Sequence, residues 1–403
     1  MKTRNNINLN TTFNKINTYM KKILIIAATT FVATALHADT IYVNIVGSTA
    51  GRSAVDAQIK AILGGTGTVQ MAFDATAGSS TPTSTSNATR AIYKGSFGGN
   101  DYIVRTAYGG SADGVNLVRN ATAQSLINED VALDTSASGK ALTSATGLVV
   151  DAAGGASTIA HIGFSDIFPG TLGLAPTSTD EKVGVITFYW MAGKDFPASV
   201  TNITSGAARQ LYSGEELPLS ILSGNSADAT KKVLGLGRSS SSGTRATAMA
   251  ECGYGNFLPV TQWGVDVTTT LGVITGAPDR FNSATGAGLG SGGDIANILK
   301  AENGTNYLFI GYLGASDAEN TAMPNARALT WNGVAFSAQN IYEGKYTFWG
   351  YLHQNHAGAL SSAQELFFDE LASRLKSNGG SGLLKISDMK VMRDGDGMPC
   401  YIP

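Results

Sequence analysis

The stretch KKVLGLGRSSSSGTRATAMAECGYG, residues 231–255, contains the pattern that decides the fold. A short apolar run stops at Arg238, four serines, a glycine and a threonine follow, and an alanine-rich segment then begins. A short apolar run that ends at a turn is typical of a strand, and the segment after the turn has the composition of a helix. The serine-rich run is therefore interpreted as a strand-to-helix turn and not as a linker.

The same order of elements occurs at three other places in the chain. TIYVNIVGSTAGRSAVDAQIKAIL (40–63) alternates apolar residues, turns at GSTAG and continues with a helical pattern. YIVRTAYGGSADGVNLV (102–118) repeats this order through GGSADG, and the apolar run of STIAHIGFSDI (157–167) ends at Gly163 and passes Ser165. Alternating strands and helices predict an α/β fold with largely parallel sheets.

Turns of this composition are suited to anions. A helix start leaves backbone N–H groups without partners and carries a partial positive charge, and Ser and Thr hydroxyls add further donors. In an open α/β sheet such turns lie at the carboxyl ends of the strands, where ligands usually bind. Ordinary helix capping is the simpler interpretation of any single turn, whereas four turns together could converge on one oxyanion.

Residues 1–38 have the pattern of a secretion signal with an upstream extension. Lys21 and Lys22 lead into the apolar run ILIIAATTFVATALHA, which ends in small residues. We predict cleavage after Ala35 or Ala38 and a periplasmic or secreted mature chain. The five basic residues of this segment leave 23 of the 28 Lys and Arg against 30 Asp and Glu, a net charge of about −7. This balance argues against nucleic acid as a partner.

The mature chain shows neither a membrane span nor a lipid anchor. No later apolar run approaches the roughly 20 residues that a membrane helix needs, and no cysteine stands at the end of the leader. Cys252 and Cys400 are the two cysteines of the chain. In an oxidising compartment they could pair or remain free, and their spacing in sequence decides neither.

Four motifs, in this order, resemble the phosphate-binding protein of bacterial ABC phosphate transporters. They are GSTA (47–50), GSADGV (110–115), GFSD (163–166) and RSSSSGT (238–244). Three further segments are similar to that family: NITSGAARQLYSGE (202–215), YLFIGYL (307–313) and IYEGKYTFWGYL (341–352). The resemblance implies an α/β, two-lobed type II periplasmic-binding-protein fold with a hinge of two crossovers. Lobe one would comprise residues 39–187 plus 309–403, and lobe two residues 188–308.

The resemblance also implies a ligand site in the cleft between the lobes. The residues that it assigns to the ligand are Thr49, Ala50, Ser111, Asp166, Arg238, Ser242, Gly243 and Thr244. In this assignment Arg238 supplies a permanent charge and a donor fork suited to oxyanions. Asp166 can only accept a hydrogen bond when it is ionised, so it favours an oxyanion that still carries a proton, phosphate over sulfate.

One position departs from the family. The family's loop usually reads Arg-Ser-Asp-Gly-Ser-Gly-Thr, and Ser240 stands where the aspartate braces the arginine. We therefore expect Arg238 to be less firmly held and the site to be more positive, which leaves open whether the ligand is phosphate or another oxyanion. Arg52, in the first turn of its helix, could be a second anion contact, but a solvated surface arginine is the simpler interpretation.

The function that the resemblance implies is capture of phosphate or a similar oxyanion for ABC-type uptake. The protein would be a monomer that serves an ABC permease, without cofactor or enzymatic activity. The alternative is a secreted interaction or structural component without a transport role, which the missing loop aspartate and the Gly/Ser/Thr-rich insertions at 65–100 and 119–157 would favour. A hydrolase that uses one of the serines lacks a base near them in the sequence.

Two remaining patterns are interpreted as structure. His353 and His356 are three residues apart, which could suit a metal on a helix, but flanking glycines favour two surface histidines. SSAQELFFDELASRLKSNGG (361–380) predicts a helix that Gly379 ends and that packs onto a lobe through its leucines, Leu366 included.

Overall fold

A computed structural model describes residues 40–403, apart from 66, 77–81, 152–157, 269–272, 275–276, 304–305 and 321–325. The predicted secretion signal and parts of both predicted insertions lie outside the described residues.

The predicted α/β class is confirmed. The described strands are β1 Thr40–Gly47, β2 Gln70–Asp74, β3 Arg90–Phe97, β4 Asn100–Ala107, β5 Lys140–Leu142, β6 Ile162–Ser165, β7 Thr179–Ala192, β8 Asn202–Ile203, β9 Leu217–Pro218, β10 Lys232–Gly235, β11 Trp263–Gly264, β12 Val267–Thr268, β13 Val273–Ile274, β14 Asp279–Arg280, β15 Glu302–Asn303, β16 Tyr307–Gly314, β17 Arg327–Trp331, β18 Trp349–His356 and β19 Leu383–Leu384.

A helix follows three of the four predicted strand-to-helix turns, and the expectation of a helix after the third turn, GFSD (163–166), is wrong. The described helices are numbered in chain order. They are α1 Arg52–Leu63, α2 Ser111–Arg119, α3 Ser205–Ser213, α4 Ser220–Ser223, α5 Gly243–Glu251, α6 Gly292–Lys300, α7 Ala315–Asn320, α8 Ala338–Tyr342 and α9 Ser362–Asn378. Each of β1, β4 and β10 leads through a short turn into a helix, α1, α2 and α5 respectively, and β6 leads into a 3₁₀ turn at Pro169–Leu172. None of the helices in the described part of the chain is long and apolar enough to cross a membrane.

One large sheet runs through the molecule in the order β5-β2-β3-β4-β1-β6-β18-β7-β16-β10-β9. The long strand β7 belongs to two groups of strands. Its first part, Thr179–Thr187, pairs with β18, and its last part, Phe188–Ala192, pairs with β16. The chain crosses between the groups along β7, and β16 runs back antiparallel to its last part and ends at Gly314, beside Ala50 of the first turn. The lobe boundaries given above stay a prediction.

The sheet is mixed, so the expectation of largely parallel pairing is wrong. The strands that lead into the site turns are parallel, β1 with both β4 and β6, and β10 with β16. The pairs β2–β3, β3–β4 and β6–β18 are antiparallel. Gly98 and Gly99 connect β3 to β4 with φ of 58° and 85°. Positive φ at both central residues makes a tight hairpin turn, a signal of the Gly-Gly pair that the sequence reasoning missed.

Buried aromatic side chains pack around the second half of β7. Trp190 of that strand contacts Tyr312, Trp331 and Phe348, and Tyr212 contacts Tyr312. The helix predicted at 361–380 is α9, which Ser361 caps and Gly379 ends. Leu371 and Leu375 are buried as expected, but Leu366 is 44% exposed, so the prediction that it packs onto a lobe is wrong.

Candidate functional site

The four Gly/Ser/Thr turns meet at the carboxyl ends of β1, β4, β6 and β10. Backbone hydrogen bonds connect them: from Gly110 N to Gly47 O at 3.0 Å, from Ser48 N to Phe164 O at 2.8 Å, and from Ala112 N to Ser241 O at 3.1 Å. The first two bonds connect turns on neighbouring parallel strands. The third reaches the serine-rich turn after β10, so turns from both strand groups form one cluster.

Asp166 lies at the centre of this cluster. Its carboxylate is buried and accepts hydrogen bonds from the hydroxyls of Ser111 and Thr244, the latter at 3.5 Å. Ser111 Oγ also accepts from the backbone N–H of Asp166 at 3.1 Å. Because Ser111 begins α2 and Thr244 is the second residue of α5, the carboxylate faces the starts of two helices that come from different strand groups.

Burial raises the pKa of the Asp166 carboxyl to about 6. Its backbone hydrogen bond, the hydroxyl of Ser48 and the charge of Arg238 oppose this rise, and the nearby carboxylate of Asp396 adds to it. The group is therefore mainly ionised at neutral pH and protonated in mild acid. In its ionised form it is a pure acceptor, which suits a ligand that brings a proton.

Arg238 supplies the buried positive charge of the cluster. Its Nη2 donates to Thr49 Oγ1 at 3.2 Å and to Gly290 O at 2.9 Å, and its Nε donates to Leu289 O at 3.1 Å. Burial lowers the pKa of its guanidinium, and the carboxylate of Asp317 opposes this most strongly. A guanidinium remains charged at neutral pH, so the site holds a cation whose fork is fixed by three acceptors.

The segment that precedes α6 replaces the missing aspartate brace. We expected Ser240 to leave Arg238 loosely held, and the three hydrogen bonds contradict this. Backbone carbonyls at Leu289 and Gly290 hold the guanidinium, while Ser240 N donates to Gly286 O at 2.9 Å. The brace is thus formed by neutral carbonyls and not by a carboxylate.

Ser242 and Gly243 shape the start of α5. Ser242 is the N-cap, and its hydroxyl accepts from Arg245 N at 3.3 Å. A Cβ atom at Gly243 would lie 2.0 Å from Asp166 Oδ1 and 2.5 Å from Ser111 Oγ. Only a glycine lets the helix start approach the carboxylate so closely.

The first turn contributes Ser48, Thr49 and Ala50. Ser48 Oγ accepts from Ala50 N at 3.2 Å, and its hydroxyl opposes the rise in the pKa of the Asp166 carboxyl that burial causes. Ser48 is a site residue that the sequence reasoning missed, although it stands in the GSTA motif. Thr49, the residue assigned from that motif, contacts Arg238 through its hydroxyl.

Arg52 is buried, so the interpretation of a solvated surface arginine is wrong. Only 6% of the residue is exposed, and its Nη2 lies 3.6 Å from Asp317 Oδ1. Asp317 lies in α7, directly after β16, where no motif marked it. The ion pair brings the first turn of α1 to the strand along which the chain returns to the first group.

The histidines and cysteines take no part in the cluster. His353 is only 2% exposed, and its Nδ1 lies 2.9 Å from Asp180 Oδ1 across β18 and β7. The interpretation of His353 as a surface residue is therefore wrong, because β18 is a central strand. Cys252 and Cys400 are both free thiols. Within the ranges that the structure describes, no group of three or more His, Cys, Asp or Glu side chains could hold a metal ion.

Comparison with known proteins gives structural neighbours and no sequence match. No protein-family model and no curated protein match the chain. Among solved structures, a protein from Clostridium perfringens assigned as a phosphate ABC transporter substrate-binding protein, with bound phosphate, is 14% identical with a TM-score of 0.48 over 86% of this chain and 100% of that one. An ABC-type phosphate transport receptor from Vibrio cholerae is 12% identical with a TM-score of 0.44 over 82% and 93%. PstS from Borrelia burgdorferi is 14% identical with a TM-score of 0.38 over 85% and 98%.

Proposed function

We propose that this protein is an extracytoplasmic solute-binding protein that captures phosphate or a similar oxyanion for ABC-type uptake. The main support is the convergence of a buried cation, a buried carboxylate and hydroxyls at the carboxyl ends of strands from both groups. A protonated oxyanion needs a positive charge, several donors and one acceptor for its own proton. Arg238, the hydroxyls and Asp166 offer these three elements in one place.

The residues proposed to hold the ligand are Thr49, Ala50, Ser111, Asp166, Arg238, Ser242, Gly243 and Thr244. Ser111 and Thr244 now donate to Asp166, and Thr49 accepts from Arg238. Each of these hydroxyls can rotate toward an oxyanion while the carboxylate accepts the proton of the ligand. Since the donors come from both strand groups, the ligand would stabilise the arrangement in which the groups are close together.

In this proposal the protein acts outside the cytoplasm as a monomer and delivers its ligand to an ABC permease. It binds its ligand without changing it, so no residue has a catalytic role. The lobes proposed to close on the ligand are residues 39–187 plus 309–403 and residues 188–308.

The test is a thermal-shift panel with phosphate, arsenate, sulfate and molybdate, followed by calorimetric titration of each oxyanion that shifts the midpoint. A ligand that binds only the folded state raises the unfolding midpoint, and the stabilisation grows with the logarithm of the ratio of its concentration to its Kd. We expect phosphate and arsenate to raise it and Arg238→Ala to abolish the effect. Asp166→Asn should admit sulfate, because an amide can donate to an oxygen without a proton. Arg209→Ala, at an exposed arginine of α3, serves as the control.

One observation favours the alternative of a secreted interaction or structural component. Arg238 and Asp166 already have hydrogen-bond partners within the protein, three acceptors and two hydroxyls respectively. Such a cluster can stabilise a fold without any ligand. A panel in which no oxyanion shifts the midpoint of the wild-type protein would favour this alternative and exclude the transport function.

A further inference from the structure

A second buried arginine, Arg245, lies in the first turn of α5, and nothing in the proposed ligand set uses it. Only 6% of the residue is exposed. Its Nε is fully buried without a hydrogen-bond partner. Across the part of the chain that the structure describes, its guanidinium forms neither an ion pair nor a hydrogen bond. Of the other buried arginines, Arg52, Arg105 and Arg393 each pair with a carboxylate, and Arg238 donates to three acceptors. Arg245 is therefore the buried arginine of the described residues whose charge has no partner.

The position of Arg245 directs its charge toward the oxyanion site. Long side chains on a helix point back toward the helix N-terminus, and Arg245 is the third residue of α5, directly after Gly243 and Thr244. Ahead of it lies the turn that begins with Arg238. The hydroxyl of Tyr312 accepts from the backbone N–H of Arg238 at 3.0 Å. Burial raises the pKa of this hydroxyl, and the charge of Arg245 opposes the rise more than any other charge, which agrees with a guanidinium directed toward the turn that begins with Arg238.

We propose that Arg245 supplies a second positive charge to the oxyanion site and makes the site select doubly charged over singly charged oxyanions. This inference rests on the proposed function and specifies its ligand class. Burying a charge without a partner is costly, and a bound dianion would compensate it. With Asp166 ionised, Arg245 changes the net charge of the site from zero to +1, and a dianion gains about twice as much Coulomb energy from this added charge as a monoanion does.

The test compares two phosphorus oxyanions that both lack an O–H group, in an Asp166→Asn background whose amide admits oxyanions without a proton. In mildly alkaline buffer phosphite carries two negative charges and hypophosphite carries one, so they differ in charge and not in hydrogen-bond donors. Coulomb energy scales with the charge of the ligand, so loss of one cation should weaken the dianion by the square of the factor for the monoanion. We expect Arg245→Gln to weaken hypophosphite by about tenfold and phosphite by about a hundredfold in calorimetric titrations.

Three matched variants separate a binding role from a structural role. Arg245→Lys keeps the charge and should retain most of the preference for phosphite. Arg209→Gln removes an exposed arginine of α3 and should leave both affinities unchanged. Without added oxyanion, Arg245→Met should raise the unfolding midpoint, because it removes a buried unpaired charge, whereas a structural arginine would lower the midpoint when it is replaced.

The outcomes distinguish this inference from the proposed function. If the wild-type protein binds phosphate and Arg238→Ala abolishes binding, yet Arg245→Gln leaves the ratio of phosphite to hypophosphite affinity unchanged in the Asp166→Asn background, the selection by charge is refuted while the transport function stands. Failure of both neutral variants, Arg245→Gln and Arg245→Met, to fold would assign the side chain to the core and also refute it. If the wild-type protein binds no oxyanion at all, the proposed function fails first.

Discussion

The guanidinium of Arg238 donates from Nη2 to the hydroxyl of Thr49 at 3.2 Å, and this bond joins the turn after β10 to the turn after β1. The two turns belong to different strand groups, which also meet along β7 and at the bonds from Ala112 N to Ser241 O and from Thr244 to Asp166. The bond is buried on both sides, so water does not compete for it. It therefore couples the position of the site's cation to the approach of the two groups.

We predict that Thr49→Val lowers the affinity for phosphate about tenfold. Valine keeps the shape of the side chain but removes the hydroxyl, and a hydrogen bond to a charged group contributes roughly 1.5–3 kcal/mol. Calorimetric titration with phosphate measures the effect. Thr49→Ser retains the hydroxyl and should bind phosphate nearly as the wild-type protein does. Wild-type affinity in the valine variant would mean that Thr49 has no contact with the ligand.

Gly243→Ala should reduce both stability and oxyanion binding. The added methyl would lie 2.0 Å from Asp166 Oδ1, so α5 or the carboxylate must move, at a cost of about 1–3 kcal/mol. The matched control is Gly206→Ala in α3, where the nearest atom, Thr204 Oγ1, is 3.9 Å from the added Cβ. That exposed helical site should become about 0.5–1 kcal/mol more stable. Urea unfolding measures the change in the free energy of unfolding for each variant. Equal changes in the two variants would show that the contact between position 243 and Asp166 is loose.

The local parts of the site could be predicted from the sequence because strand, turn and helix signals are adjacent there. Ser111, Asp166, Gly243 and Thr244 meet because each follows a strand whose carboxyl end reaches the same edge of the sheet. A short turn fixes the position of its residues relative to the strand before it. The order of strand, turn and helix is therefore enough to predict which residues lie at the site.

Long-range partners could not be predicted in this way. Arg52 resembles a surface residue in its own helix, and its burial depends on Asp317, which only the return of the chain along β16 brings close. The guanidinium of Arg238 is held by the backbone carbonyls of Leu289 and Gly290. Every residue type has a backbone carbonyl, so the residue types at these positions give no signal. Neither contact leaves a periodic pattern or a composition that sequence reasoning can detect.

Asp166 should make the stability of the protein without added oxyanion depend on pH. Burial raises the pKa of its carboxyl from 3.8 to about 6, so the folded state binds the proton more tightly than the unfolded state does. The free energy of unfolding should therefore fall as the pH rises through this window, by about 3 kcal/mol for this one group.

Comparison with Asp166→Asn isolates this contribution. Other carboxylates titrate in both proteins, so the quantity to measure is the wild-type free energy of unfolding minus that of the variant, by urea unfolding between about pH 4 and about pH 7. We expect this difference to become less favourable to the wild-type protein as the pH rises. A difference that is constant or that changes in the opposite direction would contradict the burial of an ionised carboxylate at the site.

The C-terminal segment fixes the end of α5, the helix whose first residues lie at the oxyanion site. Arg393 is fully buried, and its Nη1 lies 2.6 Å from the carboxylate of Glu251, the last residue of α5. Arg393 also donates to the carbonyls of Thr347 and Trp349, and its guanidinium lies 3.9 Å from the centre of a Trp349 ring. α5 is thus fixed at its start by the oxyanion cluster and at its end by this ion pair.

Removal of either partner of this pair should cost more than removal of both. Arg393→Met or Glu251→Met leaves one buried charge unpaired, and we expect each to lower the free energy of unfolding by about 3–5 kcal/mol. The double variant leaves no charge and should recover most of the loss, so urea unfolding of the four proteins should give a large coupling energy. Lys345→Met removes one side of an exposed pair with Glu343 and should change little. Additive losses in the double variant would show that packing around Arg393, and not its charge, holds α5 in place.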